Sequence, residues 1–167
     1  MNGNCHFVFA SSVATSVAIV GSKTGLLVDE QTITLLISTA LIGGIFPDID
    51  NPKSNMGQLS RPVSTLIEKL SKPFGKVGKN HRGVFHDPIL YIAGLLFCFY
   101  NFTPLIGFFV GALSHLFLDM FNPSGIRVFG VKFLRIAKIP SSSKEGVVVT
   151  WIMSIFCILS SILYMYF

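Results

Sequence analysis

The chain has 167 residues, enough for one domain, and 51% of them are hydrophobic while only 13% are charged. A soluble domain carries about 25% charged residues, so this chain has too few polar groups to cover its surface in water. Intrinsic disorder is excluded as well, because disorder requires low hydrophobicity and high charge. The composition and the mean hydropathy of +0.65 therefore predict a single membrane-embedded domain over residues 1–167.

Stretches without charged residues define the expected transmembrane segments. The chain has four of these stretches, at 7–22, 31–47, 88–118 and 146–167. The third contains an Asn-Phe-Thr-Pro turn signal at 101–104, which splits it into a helical hairpin of two segments. We therefore predict an all-α, polytopic membrane helical bundle of about five short helices. Only the last is expected to reach the ~20 apolar residues that cross a bilayer comfortably.

Five alternating crossings place residues 48–87 and 119–146 on the same side of the membrane as the N-terminus. These two loops contain all but one of the 13 Lys and Arg residues, and only Lys23 falls on the other side. By the positive-inside rule, the cation-rich side faces the cytoplasm. A net charge of +5 would also suit nucleic acid or acidic lipid. Because orientation already explains the cations, we expect membrane lipid and no nucleic acid as a partner.

An amphipathic pattern lies within the first cytoplasmic loop. Between Ser60 and Phe74, apolar residues recur at helical spacing, while Arg61, Lys69 and Lys72 lie off the apolar stripe. The pattern predicts a helix that either lies in the cytoplasmic interface near anionic headgroups or packs as a cap over the bundle.

Gly107 and Gly111 form a small-xxx-small motif in the fourth predicted segment. Glycines at this spacing let another helix approach closely. The motif packs either a helix of the same chain or a helix of a second copy, and the sequence leaves the oligomeric state open.

Ionisable residues at the ends of the apolar segments are the main candidates for chemistry, because an unpaired buried charge is costly. Alternating crossings place all four histidines on the cytoplasmic side. His115 and Asp119 are four residues apart, so they stack on one helix face and can bind one metal ion. The alternative is a His–Asp pair that only satisfies itself near the membrane surface.

Two carboxylates follow the second apolar segment. Asp48 and Asp50 lie in a turn that is bracketed by Pro47 and Pro52. Such a turn suits oxygen ligation of a metal, or one ligand plus one general base. The same residue types also make an ordinary helix stop, which is the alternative interpretation.

The segment before the third helix combines two imidazoles, His81 and His86, with the guanidinium of Arg82. This combination suits metal ligation beside an oxyanion clamp, because arginine binds phosphate or carboxylate bidentately. Asp87 has a structural interpretation as the N-cap of the next helix. His6 is a weaker candidate alone and gains weight because it shares a side with the others.

These motifs resemble the YdjM family, which is described as LexA-regulated, inner-membrane, metal-dependent hydrolases. The matching stretches run in family order over nearly the whole chain: His6, Pro47-Asp48-Ile49-Asp50, His81-Arg82-Gly83-x-x-His86, Ser114-His115-Leu116-Phe117-Leu118-Asp119 and Asn122-Pro123-Ser124-Gly125-Ile126. The chain departs from the family where it has Phe85-His86-Asp87 in place of Thr-His-Ser, and Asn122-Pro123 in place of Thr-Pro. A looser similarity to the zinc-dependent phospholipase C and P1 nuclease group favours phosphoester over peptide chemistry.

Together, the motifs and the resemblance predict a cytoplasm-facing metal-dependent hydrolase of a lipid phosphoester. His86, His115 and Asp119 are the expected core of one metal site, and Asp48 or Asp50 completes it or bridges to a second ion. His6 and His81 are the candidate ligands of that second ion. Zinc fits the mixture of imidazoles and carboxylates, with manganese as the alternative. Asp50 is expected to orient or deprotonate the attacking water, and Arg82 to hold the phosphoryl oxygens.

Two other functional classes remain open from the sequence. One is a transporter of metal ions or protons, and the other is a non-catalytic membrane protein that binds metal only for stability. A permeation pathway places ionisable groups near the bilayer midplane. In this chain they lie at the ends of the apolar segments, which favours the hydrolase.

Overall fold

A computed structural model of the chain describes residues 3–26, 29–51, 54–71, 84–101, 105–128, 131–140 and 143–167. The described part contains seven α-helices: α1 (Gly3–Lys23), α2 (Glu30–Ile45), α3 (Asn55–Leu59), α4 (Arg61–Ser71), α5 (Pro88–Asn101), α6 (Ile106–Asp119) and α7 (Lys144–Tyr166). It also contains two 3₁₀ turns, Phe46–Asp50 and Val84–His86, and two short strands, β1 (Ile126–Val128) and β2 (Val131–Leu134).

The five apolar helices predicted from the sequence are present as α1, α2, α5, α6 and α7, so the helical membrane bundle is confirmed. The expectation that only the last helix is long enough to cross a membrane is wrong. Among the described residues, three helices have sufficient length and hydropathy: α1 with 21 residues, α7 with 23, and α2, which continues into the first 3₁₀ turn and gives 20. They exceed the charge-free stretches because Lys23, Glu30 and Lys144 belong to their terminal turns.

Side-chain caps set the starts of two long helices. The carboxylate of Asp29 accepts hydrogen bonds from the Thr32 hydroxyl at 2.6 Å and the Thr32 amide at 2.7 Å, which lowers the pKa of Asp29. At α7, the hydroxyl of Ser143 accepts from the Gly146 amide at 3.1 Å. Both residues satisfy amides that have no partner inside their helix.

α2 and α6 pack in backbone contact through glycines. A Cβ on Gly107 would lie 2.1 Å from the carbonyl oxygen of Leu36, and one on Gly111 would lie 2.0 Å from that of Ala40. Both pairs have the same separation in sequence, so the two helices run parallel and in register. The Gly107-x-x-x-Gly111 motif therefore packs a helix of the same chain.

α1 packs antiparallel to α2 through small residues. Ala14 and Ala18 of α1 form a buried cluster with Leu36 and Ala40 of α2. Closer to the start of α1, a Cβ on Gly44 would lie 2.3 Å from the Cβ of Ala10. Small residues at the seam let the helices approach closely, which substitutes for the hydrophobic driving force that lipid does not provide.

α1 and α7 run parallel and end on the same side of the bundle. The ammonium of Lys23 donates a hydrogen bond to the carbonyl of Tyr164 and lies 4.6 Å from the centre of its ring. Farther back, the hydroxyls of Ser16 and Ser161 are 3.4 Å apart. These directions are the ones that alternating crossings require.

The predicted amphipathic helix is present as α4. Its first turn packs on α3, where the buried Ser64 hydroxyl donates to the Gly57 carbonyl at 3.2 Å. Val63 and Leu66 on the apolar stripe remain exposed. The helix therefore packs against the chain near the end of α2, as a cap would, and the membrane-interface role stays a prediction. Residues 72–83 lie outside the described part.

A short antiparallel β-hairpin follows α6, an element that the sequence did not predict. It begins after Gly125, whose φ of +63° and close approach to the Leu134 carbonyl both require glycine. Beyond the hairpin, the Ile136 amide donates to the Met120 carbonyl at 2.8 Å, and the Ile139 amide donates to Phe121 at 2.9 Å. The returning chain thus satisfies carbonyls at the end of α6.

The α2–α6 contact predicts unequal effects of the same substitution at two glycines. Gly111→Ala pushes a methyl group into a backbone carbonyl and should destabilise the protein by about 1–3 kcal/mol. Gly94→Ala is the matched control, because its methyl meets the far end of the Phe109 ring, which can turn away. Unfolding in mixed micelles measures both variants. Equal losses of stability would contradict backbone contact between α2 and α6.

Candidate metal centre

Separate segments bring five of the predicted ligands to one end of the bundle, and we call this group the His–Asp cluster. Its members lie in the first turn of α1, the 3₁₀ turn after α2, the 3₁₀ turn before α5 and the last two turns of α6: His6, Asp48, His86, His115 and Asp119. The side chain of Asp48 is 19% exposed, whereas those of the other four are at most 3% exposed.

The donor atoms within the cluster lie too far apart for direct hydrogen bonds and close enough together to hold a metal ion. The Nε2 atom of His86 lies 3.6 Å from Asp48 Oδ1 and 3.7 Å from Asp119 Oδ2. The Nε2 atom of His115 lies 3.8 and 3.9 Å from the same two oxygens. An N–H···O hydrogen bond spans about 2.7–3.2 Å, which is shorter than all four contacts. Ligands at the corners of a tetrahedron around zinc are about 3.3–3.6 Å apart, so the cluster fits a slightly expanded ligand shell.

His6 extends the cluster on the side of α1. Its Nε2 atom lies 3.5 Å from Asp119 Oδ1, and its ring stacks on that of His115 with centroids 3.7 Å apart. The described residues thus form two overlapping groups that could hold a metal ion, one with His6, His115 and Asp119 and one with Asp48, His86 and His115.

A backbone carbonyl orients His115. The Nδ1 atom of His115 lies 2.8 Å from the carbonyl oxygen of Gly44. Because a carbonyl only accepts hydrogen bonds, Nδ1 carries the proton and the lone pair of the neutral ring lies on Nε2. This Nε2 is buried and has no hydrogen-bond partner among the described residues. A buried acceptor of this kind, held by a second hydrogen bond, is typical of a metal-ligating histidine.

The contact between His115 and Gly44 continues the packing of α2 on α6. His115 lies one turn beyond Gly111, and Gly44 lies one turn beyond Ala40, so the two residues have the same 71-residue separation as the glycine contacts. The same backbone approach that excludes a Cβ at Gly111 therefore brings the imidazole to the carbonyl.

Asn122 is a further site residue. It belongs to one of the family motifs, but the sequence did not indicate a role for it. It is fully buried, and its side-chain amide donates a hydrogen bond to Oδ1 of Asp119. The bond fixes one carboxylate oxygen, as supporting residues around metal ligands do. The available signal was the spacing, since Asn122 follows Asp119 by three residues.

Further hydrogen bonds hold the two 3₁₀ turns that carry ligands. The hydroxyl of the buried Tyr91 donates to the Phe85 carbonyl at 2.8 Å, next to His86. The hydroxyl of Ser54 donates to the Asp48 carbonyl at 2.6 Å and accepts from the Gly57 amide at 2.9 Å. These bonds tie each turn to the helix that follows it.

Three predicted site residues cannot be placed in the cluster. His81 and Arg82 lie outside the described residues, and Asp50 is described only as backbone in the first 3₁₀ turn. Their proposed roles stay predictions. The structural interpretation of Asp87 agrees with the structure, because its carboxylate accepts a hydrogen bond from the Ile89 amide at 3.1 Å.

The comparison with known families decides the relationship that the motifs suggested. A model of the YdjM inner membrane protein family matches residues 1–166. The chain belongs to the YdjM family. Two relatives are each named "Inner membrane protein YdjM", one from Escherichia coli (strain K12) and one from Shigella flexneri. Each is 34% identical over 100 residues, which cover 54% of this chain and 46% of the relative.

The chain therefore aligns with about half the length of these curated YdjM proteins. No solved structure matches the chain. The predicted family and the inner-membrane location of its members are confirmed. Neither the matched family model nor the names of the two relatives specify a metal or a reaction, so the chemistry of this YdjM-family chain is argued from the His–Asp cluster.

Removal of the Asn122 amide should weaken metal binding by this YdjM-family chain. In Asn122→Ala, Asp119 loses the donor that holds its Oδ1, so we expect an affinity loss of about 10–100-fold. Competition with a chromogenic zinc chelator measures the change. Ser160→Ala, at an exposed site on α7, serves as the control and should leave the affinity unchanged. Equal affinities in both variants would show that Asn122 does not support a ligand.

Proposed function

We propose that this protein is a membrane-embedded, metal-dependent hydrolase that cleaves a phosphoester of a lipid or lipid-like substrate at the cytoplasmic face. The single observation that carries the proposal is the His–Asp cluster, with donor atoms 3.5–3.9 Å apart at one end of an apolar bundle. Membership of an inner-membrane family supports the membrane location, and the cytoplasmic face rests on the distribution of Lys and Arg along the chain. The hydrolase activity rests on the cluster and on the similarity of its ligand types to phosphoester-cleaving zinc enzymes.

Asp48 Oδ1, His86 Nε2 and His115 Nε2 suit a common ion, and Asp119 Oδ2 lies 3.7 and 3.9 Å from the two imidazole nitrogens. Their imidazole–carboxylate separations of 3.6–3.9 Å correspond to about 2.2–2.4 Å from the centre of a tetrahedron. His115 has one nitrogen engaged by Gly44, so it can ligate only one ion at a time. His6 with Asp119 Oδ1 is then left for a second ion. Zinc suits these ligands best, and manganese is the alternative.

A divalent ion held by these residues would supply Lewis acidity for a phosphoryl oxygen and a more nucleophilic water at neutral pH. The chain contributes the rest of the chemistry. The cluster histidines and Asp119 are buried and so lie out of contact with bulk water, while the partly exposed Asp48 faces the approach of a substrate. Asp50 orients or deprotonates the attacking water, and Arg82 holds the phosphoryl oxygens.

The position of the cluster favours a hydrolase over a transporter. All five members lie at one end of the helices, and residues 7–22, 31–47 and 106–114 contain no charged residue and no histidine. A transporter needs binding groups near the bilayer midplane. A purely structural metal site is expected to be closed, whereas Asp48 is accessible from outside.

Loss of His115 or Asp119 should remove metal and hydrolysis together. His115→Ala deletes the donor that both potential metal groups share, and Asp119→Ala deletes a carboxylate that lies 3.5 Å from His6 Nε2 and 3.7 Å from His86 Nε2. His6→Ala is the matched comparison, because it leaves Asp48, His86 and His115 in place and should retain an ion. Elemental analysis of purified protein and a phospholipid panel, before and after chelation, measure the outcome. Full metal content in both alanine variants would refute the assignment, and metal flux in liposomes without turnover would favour the transporter.

The proposed orientation predicts that two exposed positions, one on each side of the membrane, are labelled differently. A membrane-impermeant thiol reagent applied to intact cells should label a cysteine at Tyr166 and not one at Lys138, both of which are exposed. Cys5, Cys98 and Cys157 are first replaced by serine. Labelling of the cysteine at 138 alone would place the His–Asp cluster on the periplasmic side.

A further inference from the structure

A small cleft at the surface reaches one member of the His–Asp cluster, Asp48. It has a volume of about 150 Å³ and lies where the start of α1 meets the end of α2 and α3, and we call it the entrance cleft. It is lined by Gly3, Asn4, Phe7, Ile45, Asp48 and Met56. Asp48 belongs to both features, since its Oδ1 lies 3.6 Å from His86 Nε2 and 3.8 Å from His115 Nε2.

The exposed fractions of the cluster side chains indicate that the entrance cleft is a route to the cluster. Asp48 is 19% exposed, whereas the other four described members of the cluster are at most 3% exposed. A molecule that reaches the donors by this cleft therefore meets the Asp48 carboxylate first.

The walls of the entrance cleft combine two chemistries. Gly3 and Asn4 are the first residues of α1, whose amides form the positive end of the helix dipole. Phe7, Ile45 and Met56 supply apolar surface on the other walls. A divalent ion at Asp48 would add positive charge to the polar side. These walls suit an amphiphile with an anionic polar end.

The size of the entrance cleft limits what it can enclose. A volume of about 150 Å³ holds about five water molecules and is smaller than the pockets of about 300–1,000 Å³ that surround a drug-sized ligand. It has room for a phosphate ester and part of its glycerol, but acyl chains must lie outside.

Apolar surface continues from the entrance cleft along the outside of the bundle. Phe7 is 45% exposed, and Ile42, one turn before Ile45 on the same face of α2, is 51% exposed. Acyl chains that leave the cleft beside these residues stay in contact with apolar side chains and with the surrounding lipid.

We infer that the entrance cleft binds the headgroup of an anionic phosphoester lipid, which enters from the bilayer between α1 and α2. The inference rests on the proposed function and names its substrate class. The phosphoryl group lies at Asp48, the glycerol between Asn4 and Met56, and the acyl chains along Phe7 and Ile42.

Photolabelling tests the binding site directly. The probe is a phosphatidic acid with a diazirine near the glycerol end of one acyl chain, in phosphatidylcholine vesicles that contain the zinc-loaded protein. Mass spectrometry should find the label in peptides 3–11 and 42–48. Label confined to the exposed faces of α5 and α7 would overturn the inference.

A pair of variants of α3 provides the matched comparison. Met56→Trp fills the entrance cleft and should lower labelling of those peptides about tenfold, which equals ~1.4 kcal/mol of lost binding. Leu59→Trp adds the same ring at a site that is 83% exposed and outside the cleft, so labelling should not change. Both variants should keep their zinc. Equal labelling in the two variants would overturn the inference.

A competition experiment uses the unmodified protein, so its result does not depend on whether a variant folds. An excess of short-chain phosphatidic acid should suppress labelling of the cleft, and the same concentration of glycerol phosphate should not. Equal suppression by both would show that the cleft takes a free ester and would overturn the lipid assignment. Cleft labelling without turnover would reject the hydrolase and retain the binding site, whereas turnover without cleft labelling would reject only the inference.

Discussion

The close parallel contact between α2 and α6 is the constraint on which the His–Asp cluster depends. At two successive turns of α6 a glycine lies against a carbonyl of α2, and at the next turn His115 donates to the Gly44 carbonyl. A side chain at Gly107 or Gly111 would move the helices apart by more than a hydrogen bond tolerates. The direction of the Nε2 lone pair of His115 thus depends on Gly107 and Gly111, which have no reactive side chains.

The cluster is costly to bury in an apolar bundle, and the surrounding hydrogen bonds explain how it is held. Asn122 fixes Asp119, Tyr91 holds the turn that ends at His86, and Ser54 holds the turn that contains Asp48. Each supporting group bonds a ligand or the backbone beside it. Ligands that are positioned before an ion binds lose less conformational entropy when it does, so such support strengthens a metal site.

Some features of the site were accessible from local sequence and others were not. The pairing of His115 with Asp119 follows from helical spacing, and the Asp87 cap follows from the proline after it. The β-hairpin after α6 was missed because its strands have only three and four residues, too few for a clear alternating pattern. The role of Asn122 was missed because a three-residue spacing allows a hydrogen bond to Asp119 without requiring one.

The sequence by itself determined the class of protein, the family and the position of each apolar helix, because hydropathy, charge asymmetry and motif order are properties of short stretches. Tertiary structure alone decided which distant groups meet. It placed His6 on the ring of His115 at 3.7 Å and brought Asp48 and His86 to the same imidazole. Such contacts depend on how closely and in which register whole helices pack, and no local pattern encodes that distance.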